Sequence, residues 1–165
     1  IDDQVSGFWS WLFVLSKLPE LCDTIFVVLR KKPLIFLHWY HHITVLMYSW
    51  FSYMEFTSSA RWFIVMNYFV HSMMYSYYAI SAMGYRFPKS VSMFITASQL
   101  IQMLAGCFIN YTTYSYLKSG GQQSCRVSQT NVTVSALMYF SYLLLFARFF
   151  YNAYFSKSKK LSKQH

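Results

Sequence analysis

Three of the chain's five histidines lie within five residues, in the segment HWYHH at positions 38–42. His38, His41 and His42 have the spacing i, i+3 and i+4, which places their side chains on one face of a helix. Imidazoles grouped in this way can bind a metal ion, or they can act as nucleophile and general base. Which chemistry applies depends on the structure that holds the segment.

The composition indicates that the chain is embedded in lipid. It is 56% hydrophobic and only 12% charged, whereas soluble domains carry about 25% charged residues. The first residue is Ile1 rather than Met, so we interpret the sequence as a fragment of a longer protein, and no segment of it as a signal peptide.

Five apolar segments are long enough to cross a bilayer as helices, which takes about 20 residues each. We therefore predict an all-α fold, a polytopic transmembrane helical bundle. A single transmembrane domain is expected over residues 1–155 and a basic cytosolic tail over 156–165. The predicted spans are residues 8–29, 34–53, 62–83, 91–117 and 133–155.

The basic residues predict the orientation of the bundle. Nine Lys and Arg residues fall on one side of the predicted spans, in the connections around 30–32 and 86–89 and in the tail, against three on the other side. An excess of this kind marks the cytoplasmic side, so we expect a cytosolic C-terminus. The formal charge of +9 is thereby explained by topology, and nucleic acid is not expected as a partner.

Glycosylation sequons and cysteines give weaker signals. Sequons begin at Asn110 and Asn131 on or near the predicted luminal side, and Asn131 is the better placed of the two. Cys22 and Cys107 fall inside predicted spans, where cysteine packs as a small hydrophobe. Cys125 lies in a polar loop, and the sequence identifies no partner for it.

Polar residues recur within the predicted spans at helical spacing. A charge at the bilayer centre costs about 2.5–3.5 kcal/mol on insertion scales, so such residues should face a protein interior or a water-filled cavity. We therefore expect the helices to surround a polar-lined chamber. The stripes are Lys17, Glu20, Asp23 and Thr24; His38, His41 and His42; Asn67, His71 and Tyr75; Thr96, Gln99 and Gln102; and Arg148 with Asn152.

Two chemistries compete for the histidines. The HxxHH pattern is similar to the boxes of membrane di-iron desaturases and hydroxylases, but those enzymes need several boxes and this chain has one. A mononuclear metal site is a further alternative. In acyl transfer, an imidazole with an unperturbed pKa of about 6.5 attacks a thioester near neutral pH. The acyl-imidazole stays activated for a second step, and nearby amides and hydroxyls hold the oxyanion.

Five motifs, in this order, resemble those of the fatty acid elongase (ELO) family, the membrane-bound 3-ketoacyl-CoA synthases. The resemblance covers residues 17 to 154 and is strongest to the subgroup that acts on saturated and monounsaturated acyl chains. The motifs are KLPELCDT at 17–24, LHWYHH at 37–42, NYFVHSMMYSYY at 67–78, TASQLIQ at 96–102 and LFARFFYNAY at 145–154.

The resemblance implies a fold, a reaction and a location. The fold would have about seven transmembrane helices around an acyl tunnel, two of them N-terminal to this sequence. The reaction would condense long-chain acyl-CoA with malonyl-CoA to 3-oxoacyl-CoA, CO2 and CoA, with no metal or other cofactor. The protein would lie in the endoplasmic reticulum membrane beside a ketoacyl reductase, a dehydratase and an enoyl reductase.

The resemblance also implies roles for the polar residues. We expect His42 to be the nucleophile that carries the acyl group, His41 and His71 to position the reacting carbonyls, and His38 to orient its neighbours. The main rival is a non-catalytic transporter or lipid-binding bundle with a polar pathway. Supporting and substrate-binding roles would fall to Lys17, Glu20, Asp23, Asn67, Tyr75, Gln99 and Gln102.

Overall fold

The structure is a computed structural model that describes residues 4–29, 31, 34–55, 57–119 and 127–156. These residues form five long α-helices and no strand, which confirms the predicted all-α class. Each helix overlaps one predicted span and differs from it by a few residues at its ends. The helices are α1 Gln4–Leu29, α2 Phe36–Met54, α3 Ala60–Ala82, α4 Lys89–Lys118 and α5 Gln129–Phe150, and a π-helix, Tyr151–Ser156, continues α5.

The helix boundaries follow from local backbone chemistry. Pro88 precedes α4 in an extended conformation, where a ring that lacks an N–H costs the helix nothing. Gly84, just after α3, has a φ of 94°, a conformation that glycine adopts without a steric penalty. Ser128 caps α5, since its Oγ accepts a hydrogen bond from the backbone N–H of Asn131 at 3.1 Å.

The five helices pack side by side in a closed ring. Helix α1 contacts α2 and α3, α2 also contacts α5, and α4 joins α5 to α3. Each helix therefore has two principal neighbours, and the ring encloses an interior to which all five contribute. A bundle of this kind places one face of each helix inward and leaves the opposite face to the surroundings.

The burial pattern is the reverse of that in a soluble protein. Among the described residues, eleven buried residues are polar or charged and nine are hydrophobic, while many large apolar side chains are exposed. Trp9, Phe26, Trp62 and Phe108 are each more than half exposed. Soluble domains instead bury such residues and expose Lys, Glu, Arg and Asp. The outer surface is suited to lipid, and the polar side chains are turned inward.

Among the residues that the structure describes, two helical segments are long and apolar enough to cross a membrane by length and composition alone, Lys89–Lys118 and Gln129–Phe155. Helices α1, α2 and α3 contain 26, 19 and 23 residues and carry most of the polar residues that the sequence predicts to face inward.

Helices α4 and α5 come together through an aromatic core. Phe63, Met103, Tyr139 and Tyr142 form one buried cluster that joins α3, α4 and α5. Gly106 lies directly beneath the Tyr139 ring, so a side chain at this position would overlap the ring carbons. The absence of a Cβ at Gly106 therefore sets how closely α4 approaches α5.

Some sequence predictions are corrected or located by the fold. Arg148 and Asn152 are exposed, so the polar stripe predicted for the fifth span does not face the interior. Asn110 and Asn131 are only 4% and 1% exposed, and both sequons therefore lie on buried side chains. Cys22 is exposed and Cys107 partly buried, and Cys125, Arg30 and residues 157–165 lie outside the described residues.

Candidate active site

A buried charged network joins α1 to α3. The Lys17 ammonium donates hydrogen bonds to Glu20 Oε1 at 2.6 Å and to Asn67 Oδ1 at 2.8 Å, and it lies over the Phe13 ring at 4.3 Å. Lys17 is only 2% exposed. A buried charge is tolerated only when it is paired and hydrogen-bonded, and Lys17 meets both conditions.

His71 lies next to this network. Its Nδ1 is 3.8 Å from Glu20 Oε1, too far for a hydrogen bond, and it has no hydrogen-bond partner within the described part of the chain. One turn further along α3, Tyr75 donates a hydrogen bond to Asp23 Oδ2 at 2.6 Å. The predicted stripe on α1 and the predicted stripe on α3 therefore face each other.

In the HWYHH segment, the His42 ring lies between the rings of His38 and His41 and contacts both. The ring centroids of His38 and His42 are 4.5 Å apart, and those of His41 and His42 are 5.5 Å apart. The Nε2 atom of His38 is buried without a hydrogen-bond partner among the described residues. Because successive helical residues point about 100° apart, His41 and His42 share a broad face but not the same neighbours.

His41 points toward α5 and the interior of the ring. Its ring centroid lies 4.9 Å from that of Tyr142 and 6.0 Å from that of Phe146. Tyr142 is in turn fixed to α2 by Thr44, whose hydroxyl is 2.5 Å from the Tyr142 hydroxyl. The aromatic wall of α5 therefore holds the His41 ring in place.

A cavity of about 60 Å³ lies inside the ring and is lined by residues of all five helices. Its walls are mainly apolar and aromatic, with a few polar groups, which is typical of a site for a largely apolar ligand. His41 is the one histidine of the chain's described part that lines this cavity, together with the polar groups of Asn67 and Gln102. The remaining lining residues are Ser10, Phe13, Val14, Val45, Tyr48, Ser49, Ser52, Tyr53, Ala60, Phe63, Ile64, Met103, Met138, Tyr139 and Tyr142.

The predicted site residues thus divide into two groups. His41, Asn67 and Gln102 meet at the cavity, whereas His38, His42 and His71 are not among its lining residues. Gln99 lies one turn from Gln102 on α4, and its amide nitrogen is 3.3 Å from Met74 Sδ. Lys17 reaches the cavity wall through its hydrogen bond to Asn67.

The sequence missed the inward face of α5. Asn131, Ser135, Tyr139 and Tyr142 are all buried, and their spacing of i, i+4, i+8 and i+11 places them on one helical stripe. The helical spacing of these four residues could have indicated an inward face. Tyrosine and serine in an apolar span, however, are commonly residues that only pack against neighbouring helices. This stripe supplies the wall opposite His41.

A metal site would need several ligand side chains that converge on one point. Within the described ranges, no group of three or more His, Cys, Asp or Glu side chains is arranged to hold a metal ion. The imidazoles of α2 meet at interplanar angles of 56° and 86° along one helix, and Glu20 is already engaged by Lys17.

The sequence is similar to a known protein family over nearly its whole length. Residues 1–162 match the model of the GNS1/SUR4 (ELO) family. The chain is 64% identical over 162 residues to very long chain fatty acid elongase 6 of Drosophila melanogaster, a match that covers 98% of this chain and 51% of that protein. It is 55% identical to the Rattus norvegicus protein of the same name over 96% of this chain and 59% of that protein, and 53% identical to the Homo sapiens one over the same shares.

The chain spans about half the length of the curated relatives that it matches. No solved structure matches it. The family match over nearly the whole chain, together with helices able to cross a bilayer, makes this a membrane protein. The chain belongs to the GNS1/SUR4 (ELO) family.

Proposed function

We propose that the protein is a very-long-chain 3-oxoacyl-CoA synthase, which condenses a long-chain acyl-CoA with malonyl-CoA and so begins a cycle of fatty acid elongation. The observation that carries the proposal is the position of His41, an imidazole at the wall of an apolar cavity enclosed by five helices. The names of the relatives as fatty acid elongases support the same activity.

The acyl chain would lie in the cavity. Val14, Val45, Ile64 and Met138 provide apolar wall from four different helices, and burial of methylene groups against such a wall is favourable by about 0.8 kcal/mol each. The thioester would then lie beside His41, and Asn67 and Gln102 are the amide side chains that the same cavity wall offers to it.

In the first step, an imidazole nitrogen of His41 attacks the thioester carbonyl. A C–N bond forms, the C–S bond breaks, and CoA leaves as the thiol with the proton that the imidazole gives up. The amide N–H groups of Asn67 and Gln102 can donate to the oxyanion as it forms, which is the main electrostatic contribution to acyl transfer. The product is an acyl-imidazole, which remains an activated acyl donor.

In the second step, malonyl-CoA loses CO2, and the enolate of its thioester attacks the acyl-imidazole carbonyl. A C–C bond forms, the C–N bond breaks, and the His41 imidazole takes up a proton from solvent, which replaces the proton that left with CoA. The product is a 3-oxoacyl-CoA two carbons longer. His71 and Lys17, which flank Glu20, do not line the cavity. Lys17 would act on the reacting groups through its hydrogen bond to Asn67.

This assignment moves the nucleophile from His42, which the sequence favoured, to His41. His42 contacts both His38 and His41 and would position the His41 ring, with His38 holding His42 in turn. His42 as the acyl carrier stays the alternative. The two assignments predict adducts on adjacent residues, so they can be separated by experiment.

The proposed activity also implies a cofactor requirement, a membrane location and partner enzymes. We expect the reaction to need no metal or other cofactor besides the two CoA substrates. We also expect a multi-pass protein of the endoplasmic reticulum membrane with a cytosolic C-terminus, which works beside the reductases and the dehydratase that complete the cycle. The excess of basic residues in alternate connections supports the orientation.

The proposal is tested with the full-length protein, purified in detergent and treated with EDTA. Palmitoyl-CoA and malonyl-CoA are added, and 3-oxostearoyl-CoA is measured by mass spectrometry. We expect product from the wild type and from Met47→Ala, an exposed position on α2, and at least a hundredfold less from His41→Ala. Product that appears only after iron is added back would contradict the metal-free mechanism, and no product under either condition would contradict the function.

A further inference from the structure

The Lys17 ammonium lies behind the cavity wall rather than in it. Two of its neighbours, Phe13 and Asn67, line the cavity, whereas Lys17 itself does not. Its Nζ lies over the Phe13 ring, 4.3 Å from the ring centroid, and donates a hydrogen bond to Asn67 Oδ1 at 2.8 Å. The contacts of this charge with the cavity wall are therefore made through the Phe13 ring and the Asn67 amide.

The hydrogen bond from Lys17 fixes which way the Asn67 amide is turned. An ammonium group has three donors and no acceptor, so the atom of Asn67 that it contacts must be the carbonyl oxygen. A flipped amide would place N–H groups against N–H groups, with no acceptor for either. Lys17 thereby selects one of the two orientations that the planar amide could adopt, and its chemistry alone decides which atom of the amide is the oxygen.

This orientation leaves the donors of Asn67 for the cavity. The side chain lines the cavity and is 8% exposed. The hydrogen bond that it makes within the described part of the chain uses Oδ1. The Nδ2 group, which carries two N–H donors, is therefore the part of the amide that can serve a ligand.

The ammonium is itself held in place on its other side. Lys17 Nζ donates to Glu20 Oε1 at 2.6 Å, and the Lys17 side chain is 2% exposed. A hydrogen bond from a charged donor is stronger than one between neutral groups. Hydrogen bonds in series also polarise one another, so the charge on the carbonyl side of the Asn67 amide makes its N–H groups better donors.

The direction of the amide matters for the attack of His41 on the thioester. The carbonyl oxygen of the thioester gains negative charge as the C–N bond forms. A donor that already points at this oxygen stabilises the transition state without having to reorient, whereas a carbonyl oxygen in the same place would repel it. The benefit arises mainly in the transition state, so it should appear in kcat more than in KM.

We propose that Lys17 is a positioning residue, which holds Asn67 with its N–H groups, and not its carbonyl oxygen, toward the oxyanion that forms beside His41. The inference rests on the function proposed above and deepens it. It assigns a role in the reaction to a buried charge that does not line the cavity.

The first test is Asn67→Asp, with kcat and KM for palmitoyl-CoA measured on the full-length protein. The new carboxylate keeps an oxygen that accepts from Lys17, and the ammonium favours its ionised form, but the N–H2 group becomes a second oxygen. We expect kcat to fall about a hundredfold, as for the loss of one oxyanion donor, with KM nearly unchanged. An unchanged kcat would show that Asn67 only links α1 to α3, and it would overturn the proposal.

The second test removes the positioning charge and keeps the amide. Lys17→Met combined with Glu20→Gln eliminates both charges, so most of the stability should be retained. We expect kcat to fall about tenfold, less than for loss of the donor, because Asn67 keeps its N–H groups but no longer holds them in one orientation. The matched control is Tyr68→Phe, next to Asn67 on α3, which keeps the ring contact with Phe13 at 5.4 Å and should have wild-type kcat.

Thermal midpoints are measured on the same samples. A lower kcat in a double variant with a nearly wild-type midpoint supports positioning. A wild-type kcat in that variant overturns it, as does a kcat that falls only in proportion to the folded fraction. If the double variant does not fold, Asn67→Asp decides. A wild type that forms no 3-oxostearoyl-CoA overturns the proposed function and the role of Lys17 with it, whereas an active wild type with unaffected variants overturns the role of Lys17 alone.

Discussion

Lys17 on α1 and Asn67 on α3 are joined by a buried hydrogen bond of 2.8 Å. Asn67 lines the cavity that His41 also lines, and His71 follows one turn later on the same helix. The bond therefore connects a charged network to the wall of the candidate active site. Any change that breaks this network should affect both the packing of α1 against α3 and the position of the groups around the cavity.

We expect the protein to be destabilised strongly when one charge of the Lys17–Glu20 pair is removed, and much less when both charges are removed together. Glu20→Gln leaves the buried Lys17 ammonium without its counter-charge, and removal of one partner of a buried ion pair costs about 3–5 kcal/mol. Lys17→Met combined with Glu20→Gln removes both charges and should recover most of this loss. Equilibrium unfolding in detergent micelles measures the free energies. If the double variant is no more stable than Glu20→Gln alone, the two residues do not act as a compensated pair.

Gly106 is expected to tolerate no side chain while Tyr139 is present. Gly106→Ala would place a methyl group in steric overlap with two carbons of the Tyr139 ring, and overpacking of this kind typically costs about 1–3 kcal/mol. Tyr139→Leu should reverse part of that cost, because the smaller side chain leaves room for the methyl group. The thermal midpoints of both single variants and of the double variant test the contact. If Gly106→Ala destabilises the wild type and the Tyr139→Leu variant equally, the close approach is not the cause.

The sequon at Asn131 is expected to carry no glycan. Its side chain is 1% exposed and accepts a hydrogen bond from the Tyr48 hydroxyl, so the amide is not available on the folded surface. The full-length protein is produced in eukaryotic cells and treated with an endoglycosidase. Its electrophoretic mobility should show no change that depends on this sequon. Thr133→Ala destroys the sequon at an exposed position and serves as the control. A glycosidase shift that disappears in Thr133→Ala would contradict the burial of Asn131.

The sequence predicted the helices and the burial of Lys17, Asn67 and Gln102 because both depend on periodicity. Of the predicted stripes on α1 to α4, only His41, Asn67 and Gln102 line the cavity, whose walls are mainly apolar rather than polar as expected. Apolar runs of sufficient length define the spans, and the cost of polar groups in lipid requires stripes such as Lys17 with Glu20 to face inward. The prediction was wrong for Arg148 and Asn152. Arg148 lies in the last turn of α5 and Asn152 in the π-helix that continues it. A long side chain such as that of Arg148 can reach the membrane surface from the end of a span without an interior partner.

The sequence could not decide which histidine of HWYHH faces the cavity. His41 and His42 are adjacent, and a small rotation of α2 about its axis exchanges their positions relative to the cavity. That rotation is set by contacts with α5, such as Thr44 with Tyr142, which lie almost a hundred residues apart in the chain. Contacts between residues so far apart in the sequence are determined by how the five helices pack, and the local sequence pattern does not predict them.

The most direct measurement of the central claim is the site of acylation. Full-length protein treated with EDTA is given palmitoyl-CoA without malonyl-CoA, released CoA is counted, and the acylated peptide is sequenced by tandem mass spectrometry. Stoichiometric CoA release with the palmitoyl group on His41, absent from His41→Ala and transferred to product when malonyl-CoA is added, is the predicted result. An adduct on His42 would return the nucleophile to that residue, and full product formation without any adduct would contradict covalent catalysis by the histidine box.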